Sequence, residues 1–288
     1  MQWLPRCPLR TRRRLVLGLV CLAGAGCKPS PETRLKAIVG AVLIDGTGGA
    51  PVSHSVVIVA GSRIRAAGPR AAVPVPASAE IVDGSGRFVV PALVDLDAGA
   101  GDTRFMLSRG LLPAVRENKP PLPEVAALSA VEEAAGQGAK VLAGMIEDTE
   151  EVDLAFAHRL RDLGVVLAPR LAVRTGRSLE IAKRNTVRLH QAGVAIAVAS
   201  GLPSGTNTLR ELELLAAAGL RPMDVLVAAT RNGARAAGLG EITGTLEPGK
   251  QANLLVLTAN PLEDVRNLGA IERAMWKGEW VAIEPGSH

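Results

Sequence analysis

Three carboxylates, Asp95, Asp97 and Asp102, follow directly on an apolar strand-like run from Phe88 to Val94. Clustered carboxylate oxygens suit a hard cation. A catalytic divalent metal takes about three protein ligands and keeps one open position, so these acids would need help. The four histidines do not offer it: His54, His158, His190 and His288 are far apart, and none lies at ligand spacing from another. His54 opens a strand-like run, His158 falls within a helical pattern, His190 lies near a helix end where an imidazolium complements the dipole, and His288 is the last residue. Acids at the start of a loop commonly cap turns or face solvent, which is the plainer reading of all three aspartates.

Three further stretches carry less than they suggest. The acidic run Glu147-Asp148-Thr149-Glu150-Glu151 reads as negative charge at the first turn of the following helix. Gly201-Leu202-Pro203-Ser204-Gly205 lacks the lysine of a phosphate-binding loop and reads as a strand-to-helix connection. Ser200 has no histidine at a spacing that would activate it, which argues against a serine hydrolase.

The elements that must position these residues divide into two kinds. Short β-rich runs at Ile38–Ile44, Ser55–Val59, Arg63–Ala67 and Glu80–Val82 alternate with glycine turns, and similar runs return at Ala252–Leu257 and Ala274–Ile283. The two chain ends are therefore expected to pair into one small β-sandwich. Between them, helical patterns at Glu124–Ala135, Glu150–Leu163, Leu179–Gln191, Leu209–Ala218 and Pro222–Ala229 alternate with apolar runs at Lys140–Ile146, Val165–Ala168 and Val194–Ala199, the punctuation of βα units. Thr208 with Glu211 reads as a capping box, Gly219 as a helix terminator and Pro222 as a first-turn proline. The proline-rich stretch 117–123 cannot be helix interior.

The first 27 residues read as an export signal: five arginines, an apolar run from Leu15 to Ala25 too short to span a bilayer, then Gly26-Cys27. Cys27 is the candidate lipid-acceptor cysteine, giving an exported protein of the periplasm or outer membrane, held to the membrane by its lipid. Thr11-Arg12-Arg13-Arg14-Leu15 also carries paired arginines loosely similar to a twin-arginine export signal. The leader holds five of the 33 basic residues and no acid, so without it basic and acidic residues balance at 28 each. That balance gives no case for nucleic acid as a partner. Cys7 and Cys21 leave with the leader, so no internal disulfide and no thiolate metal site is expected.

The run Phe88-Val89-Val90-Pro91-Ala92-Leu93-Val94-Asp95-Leu96-Asp97-Ala98-Gly99 resembles the first barrel strand of the amidohydrolase superfamily, imidazolonepropionase-like branch. The resemblance is more specific from Leu209 to Leu268, through Ala228-Ala229-Thr230-Arg231-Asn232, Gly244-Thr245-Leu246-Glu247-Pro248-Gly249-Lys250 and Asn260-Pro261-Leu262. It implies an α/β fold: residues 28–90 and 245–288 forming a composite β-sandwich, and 91–244 forming a partial TIM-like (β/α) barrel. About 145 residues lie between Pro91 and Ala236, against roughly 250 for a full barrel. By resemblance 140–144, 165–169 and 194–201 are the sixth, seventh and eighth strands, and strands two to five are missing or vestigial. An open sheet edge invites a second copy, so a homo-oligomer is expected.

The same resemblance puts Asp97 and Gly99 where the family has its metal-binding histidine pair, Ala143 at the strand-six histidine and Gly201 at the strand-eight aspartate. Asp95 matches the acid that fixes the strand end. These vestigial positions imply a degenerate member: no catalytic residue, no cofactor, a role in binding an unidentified small molecule or in envelope structure. Two alternatives stay open. One is an active hydrolase of non-peptide carbon–nitrogen bonds, such as cyclic amides, using a divalent metal such as zinc with Asp97 and a rearranged ligand set that sequence order hides. The other is a purely architectural envelope protein.

Overall fold

The computed structural model describes residues 35–98, 106–107, 109–112, 120–201 and 207–283. The leader with Cys27, Gly99, Asp102, residues 117–119 of the proline-rich stretch, most of the 201–205 loop and His288 lie outside the described residues.

Six strands come first: β1 (Leu35–Val39), β2 (Val42–Leu43), β3 (Ser55–Ala60), β4 (Arg63–Pro69), β5 (Glu80–Asp83) and β6 (Phe88–Pro91). Polar turns separate them. Asp45 Oδ1 accepts from the Thr47 amide at 2.8 Å and from its hydroxyl at 2.7 Å, and Gly46 between them has φ 81°. A side chain on Gly46 would also press on Pro91, 2.7 Å from where its Cβ would lie, so the turn is packed against the end of β6.

The middle of the chain alternates strand and helix. In order it runs β7 (Glu124–Val125), α1 (Leu128–Gly136), β8 (Val141–Gly144), α2 (Leu154–Asp162), β9 (Val166–Ala168), a single 3-10 turn (Leu171–Val173), α3 (Gly176–Gln191), β10 (Ala195–Ile196), α4 (Thr208–Ala218) and α5 (Pro222–Val227). The last helix continues through a wide turn of π type (Ala228–Asn232) into α6 (Gly233–Ala236). These four strands form a parallel sheet in the order β10-β9-β8-β7.

Bonds outside the regular ladder extend that sheet. Leu96 donates to the Val198 carbonyl at 2.9 Å, Leu93 donates to Gly110 and Leu112 donates to Leu93, both at 2.8 Å. The result is an arc in which 111–112, 93–96, β10, β9, β8 and β7 follow one another. Among the described residues no pairing joins 111–112 to β7, and no closed barrel forms. On one face Ala143, Ala168, Ala197 and Ala199 pack with Leu112 and Leu122, so the concave side is filled by apolar contact. On the other, Leu142, Leu167, Ile196 and Val198 meet the helices in the main core. Burial on both faces explains why these strands read as continuous apolar runs.

The chain ends with β11 (Leu254–Leu257), β12 (Ile271–Trp276) and β13 (Glu279–Val281). They join earlier strands in a five-stranded sheet of order β13-β12-β11-β6-β2, while β4-β3-β1-β5 forms another. Ile38, Val57 and Val59 from the second sheet share one buried cluster with Val89, Leu254 and Val256 from the first. Lys36, buried on β1, donates to the Gly278 carbonyl at 2.6 Å and pins the late hairpin to the early sheet.

Several local expectations need correction. Glu124 and Val125 are strand, not helix; their backbone pairs with Ala143 and Gly144, and α1 starts at Leu128, whose amide donates to Asp148 Oδ1 at 3.0 Å. The acidic run therefore does not cap the helix after it. Asp148 serves the helix before it, Glu147 pairs with Arg174, and Glu150 pairs with Arg177 and Arg184. The cap of α2 is Asp153, whose carboxylate accepts from the Phe156 amide at 3.2 Å. Asp153→Ala should cost about 1 kcal/mol, read as a lower urea midpoint at unchanged slope. The run at 274–283 folds as a hairpin of β12 and β13, turning where Lys277 and Gly278 both take positive φ, 48° and 81°.

Candidate functional site

The carboxyl ends of the parallel strands meet around Asp95 and Asp97. Asp95 is fully buried. Its carboxylate accepts from the Asp97 amide at 2.9 Å, the Ser200 amide at 3.1 Å and the Thr208 hydroxyl at 2.6 Å. Burial pushes this carboxyl above its usual range, against the pull of hydrogen bonds from Ser200 and Thr208. Asp95 thus staples the first barrel segment to the end of β10 and to the first turn of α4. Thr208 is spent on this staple, so the capping box does not form; Glu211 likewise turns away, to the Ala172 amide at 2.7 Å.

Asp97 faces a guanidinium. Arg170 Nε lies 2.8 Å from Oδ2 and Nη2 lies 2.5 Å from Oδ1, a two-pronged pair, and the Gly201 amide donates to Oδ2 at 2.7 Å. A second acid, Glu124 on β7, lies 3.4 Å from Arg170 Nη1. The pair is mostly dry, with 11% of the Asp97 side chain and 17% of the Arg170 side chain exposed. The hydrogen bond to Asp97 holds Arg170 protonated beyond its ordinary range, while burial works the other way. Arg170 reaches inward from a left-handed backbone, φ 54° and ψ 46°, just past β9.

A tight turn follows Arg170. Leu171–Val173 is held beneath by Glu211 and flanked by Arg174, which donates to the Pro169 carbonyl at 2.7 Å and pairs with Glu147; the Ser178 hydroxyl also donates to Glu147. Val173 lies over Gly201, where a Cβ would come within 2.5 Å of Val173 Cγ1 and φ is 77°. Glu211 is buried, and burial pushes its carboxyl up to about 7, with the charge of Asp95 adding to the rise and the Leu171 and Ala172 amides opposing it. Its Oε1 has no hydrogen-bond partner among the described residues.

Asp97 and Gly201 are therefore brought together by a direct hydrogen bond, whereas Ala143 lies apart within the apolar cluster on the concave face. The histidines stay remote from the strand ends. His54 is exposed before β3, His158 is exposed on α2, and His190 lies 3.5 Å from Asp224 on α5. Among the described residues the donors do not fit a divalent metal. Both Asp97 oxygens already accept from protein donors, Asp95 is enclosed, and among the described residues no group of three or more His, Cys, Asp or Glu converges. Sequence reasoning missed Arg170, Arg174 and the role of Glu211, because no local spacing marks them. A groove of about 330 Å³ lies elsewhere, on the N-terminal sheet, lined by Ile58, Arg65, Ala66, Val73, Pro74 and Val75 among others.

Comparison with known proteins fits this architecture. Over 98 residues the chain is 39% identical to an imidazolonepropionase of Rhizorhabdus wittichii, a stretch covering 31% of this chain and 25% of that protein. Over 100 residues it is 32% identical to an ochratoxinase of Aspergillus niger, covering 33% and 21% respectively. The chain thus spans about a quarter or less of the length of these curated relatives. Among solved structures, molinate hydrolase (TM-score 0.68, 14% identity, 88% of this chain and 95% of that one) and phenylurea hydrolase B (0.70, 16%, 86% and 96%) share its α/β fold. The amidohydrolase family model matches residues 102–281, which takes in β7 to β10, the helices among them and the returning strands: this chain belongs to the amidohydrolase family.

Proposed function

We propose that this amidohydrolase-family chain has lost metal-dependent hydrolysis and serves a binding or structural role in the cell envelope. The observation that carries the reading is the Asp97 carboxylate engaged by Arg170 on both oxygens, with the Gly201 amide as a third donor. A cation at this carboxylate would have to displace a guanidinium bonded at both prongs and itself repelled by the newcomer. The apolar filling around Ala143 supports the same reading, since a substrate needs concave space near the reacting atoms. In this proposal residues 28–90 and 245–288 act as one composite sandwich that carries the truncated barrel of 91–244. Cys27 tethers it to the membrane, and the open sheet edge is available to a second copy.

The deciding experiment combines metal analysis of the purified protein with turnover assays on a cyclic amide, an N-aryl urea and an Xaa-Pro dipeptide. The expected result is metal far below one ion per chain and no turnover above blank. One zinc, nickel or manganese per chain, with turnover abolished by Asp97→Ala, would instead establish an active hydrolase of carbon–nitrogen bonds, the class to which the named relatives point.

A further inference from the structure

We propose that the turn at Leu171–Val173 is a proton-controlled latch over the strand ends, shut while Glu211 holds a proton and released when that proton leaves. The geometry comes first. Glu211 sits under the turn on α4 and accepts from the Ala172 amide at 2.7 Å, so it holds the turn directly. Arg170 immediately precedes the turn, so the proposed opening shifts the backbone that carries the guanidinium bonded to Asp97. The other oxygen of Glu211 is buried without a partner, so ionisation inside leaves one charged acceptor desolvated and unsatisfied. Lifting the turn would give that oxygen water.

Burial sets the sign by disfavouring ionised Glu211, against the Leu171 and Ala172 amides, which favour it; the nearby charges contribute less. Asp95 faces it from the end of the first barrel segment and disfavours its ionisation, while Arg174 at the end of the turn favours it. Charges on the packed helices are engaged elsewhere: Lys183 with Glu180, Arg184 with Glu150, His190 with Asp224 on α5, and Arg210 with Glu213 on α4 itself. In the 265–269 turn Arg266 pairs with Asp264. Buried, Glu211 titrates at about 7, against an ordinary 4.5 once exposed to water. The closed form therefore binds the proton more tightly than the open one. Its advantage is complete below the ordinary value and is lost as pH rises through about 7, so the latch loosens toward alkaline pH. The opening equilibrium should grow on the order of a hundredfold across that window. The inference holds whether or not the site hydrolyses anything.

The test is amide hydrogen exchange at Ala172 in the whole chain, expressed as a protection factor corrected for intrinsic rate, between about pH 5 and 9. Protection should fall about a hundredfold with a midpoint near neutrality, and in Glu211→Gln, which keeps the acceptor and removes the titration, it should stay flat. Carbon-13 titration of the Glu211 carboxyl in the unmodified protein gives an independent readout should the variant not fold. A carboxyl midpoint near its ordinary value, a flat protection profile in the unmodified chain, or an equal slope in Glu211→Gln would each overturn the proposal.

Discussion

Arg170→Ala is expected to lower the stability of the protein by about 3–5 kcal/mol, among the largest effects of any single side chain outside the apolar core. The reason is what stays behind. Asp97 is largely enclosed, and without the guanidinium it keeps the Gly201 amide as a donor but faces no opposite charge. Glu124, 3.4 Å from Arg170 Nη1, loses its partner as well. The contrast with the double replacement Arg170→Leu/Asp97→Leu gives the measurement its meaning. Removing both charges removes the orphan, and the double variant should recover most of the loss, because buried ion pairs exchange for apolar contact at little net cost. Urea unfolding of the two variants beside the unmodified protein checks this. A loss below about 1 kcal/mol for Arg170→Ala would mean that solvent screens the pair as it does at a surface.

Gly144→Ala is expected to cost about 4 kcal/mol, a figure assembled from two separate penalties. Gly144 ends β8 with φ 105°, a backbone that costs an L-residue about 1–2 kcal/mol. A methyl there would also sit inside the van der Waals envelope of the Val125 carbonyl, and crowding of that kind typically adds about 1–3 kcal/mol. The clash falls on the ladder between β7 and β8, so the variant should lose amide protection at Glu124, Val125 and Ala143 before the rest of the sheet. Uniform loss of protection across all strands would show that the arc unfolds as one unit, with β7 no weaker than its neighbours.

How far the sequence reaches can be judged residue by residue. The strands at 141–144 and 166–168 were legible, because a strand buried on both faces must be apolar throughout and a short run between glycines leaves few other readings. Gly219 and Pro222 were legible for a related reason: a positive-φ terminus and a first-turn proline are local requirements with local causes. Thr208 and Glu211 show where local logic ends. Their three-residue spacing matches a reciprocal cap, yet both side chains bond to distant partners, Asp95 and Ala172, that the spacing cannot name. Glu124 and Val125 were misread because a two-residue strand has no period to detect, and a following helical pattern absorbs it.

The site was legible in outline only. Asp95 and Asp97 stood out by type and position, and the fold sets the Ser200 and Gly201 amides against them. Arg170 could not have been found, since it and Asp97 are 73 residues apart and only the fold makes them neighbours. An arginine after a buried strand looks the same whether it meets solvent or a carboxylate.

The five-stranded sheet imposes an order of events on biosynthesis. β6 leaves the ribosome early with Phe88, Val89 and Val90, yet its antiparallel neighbour β11 is not made until residues 254–257. At roughly 5–20 residues per second that strand waits on the order of ten to thirty seconds with a sticky edge and nothing to zip to. A nascent chain in that condition keeps this edge of β6 open until the last eighth of its residues is made.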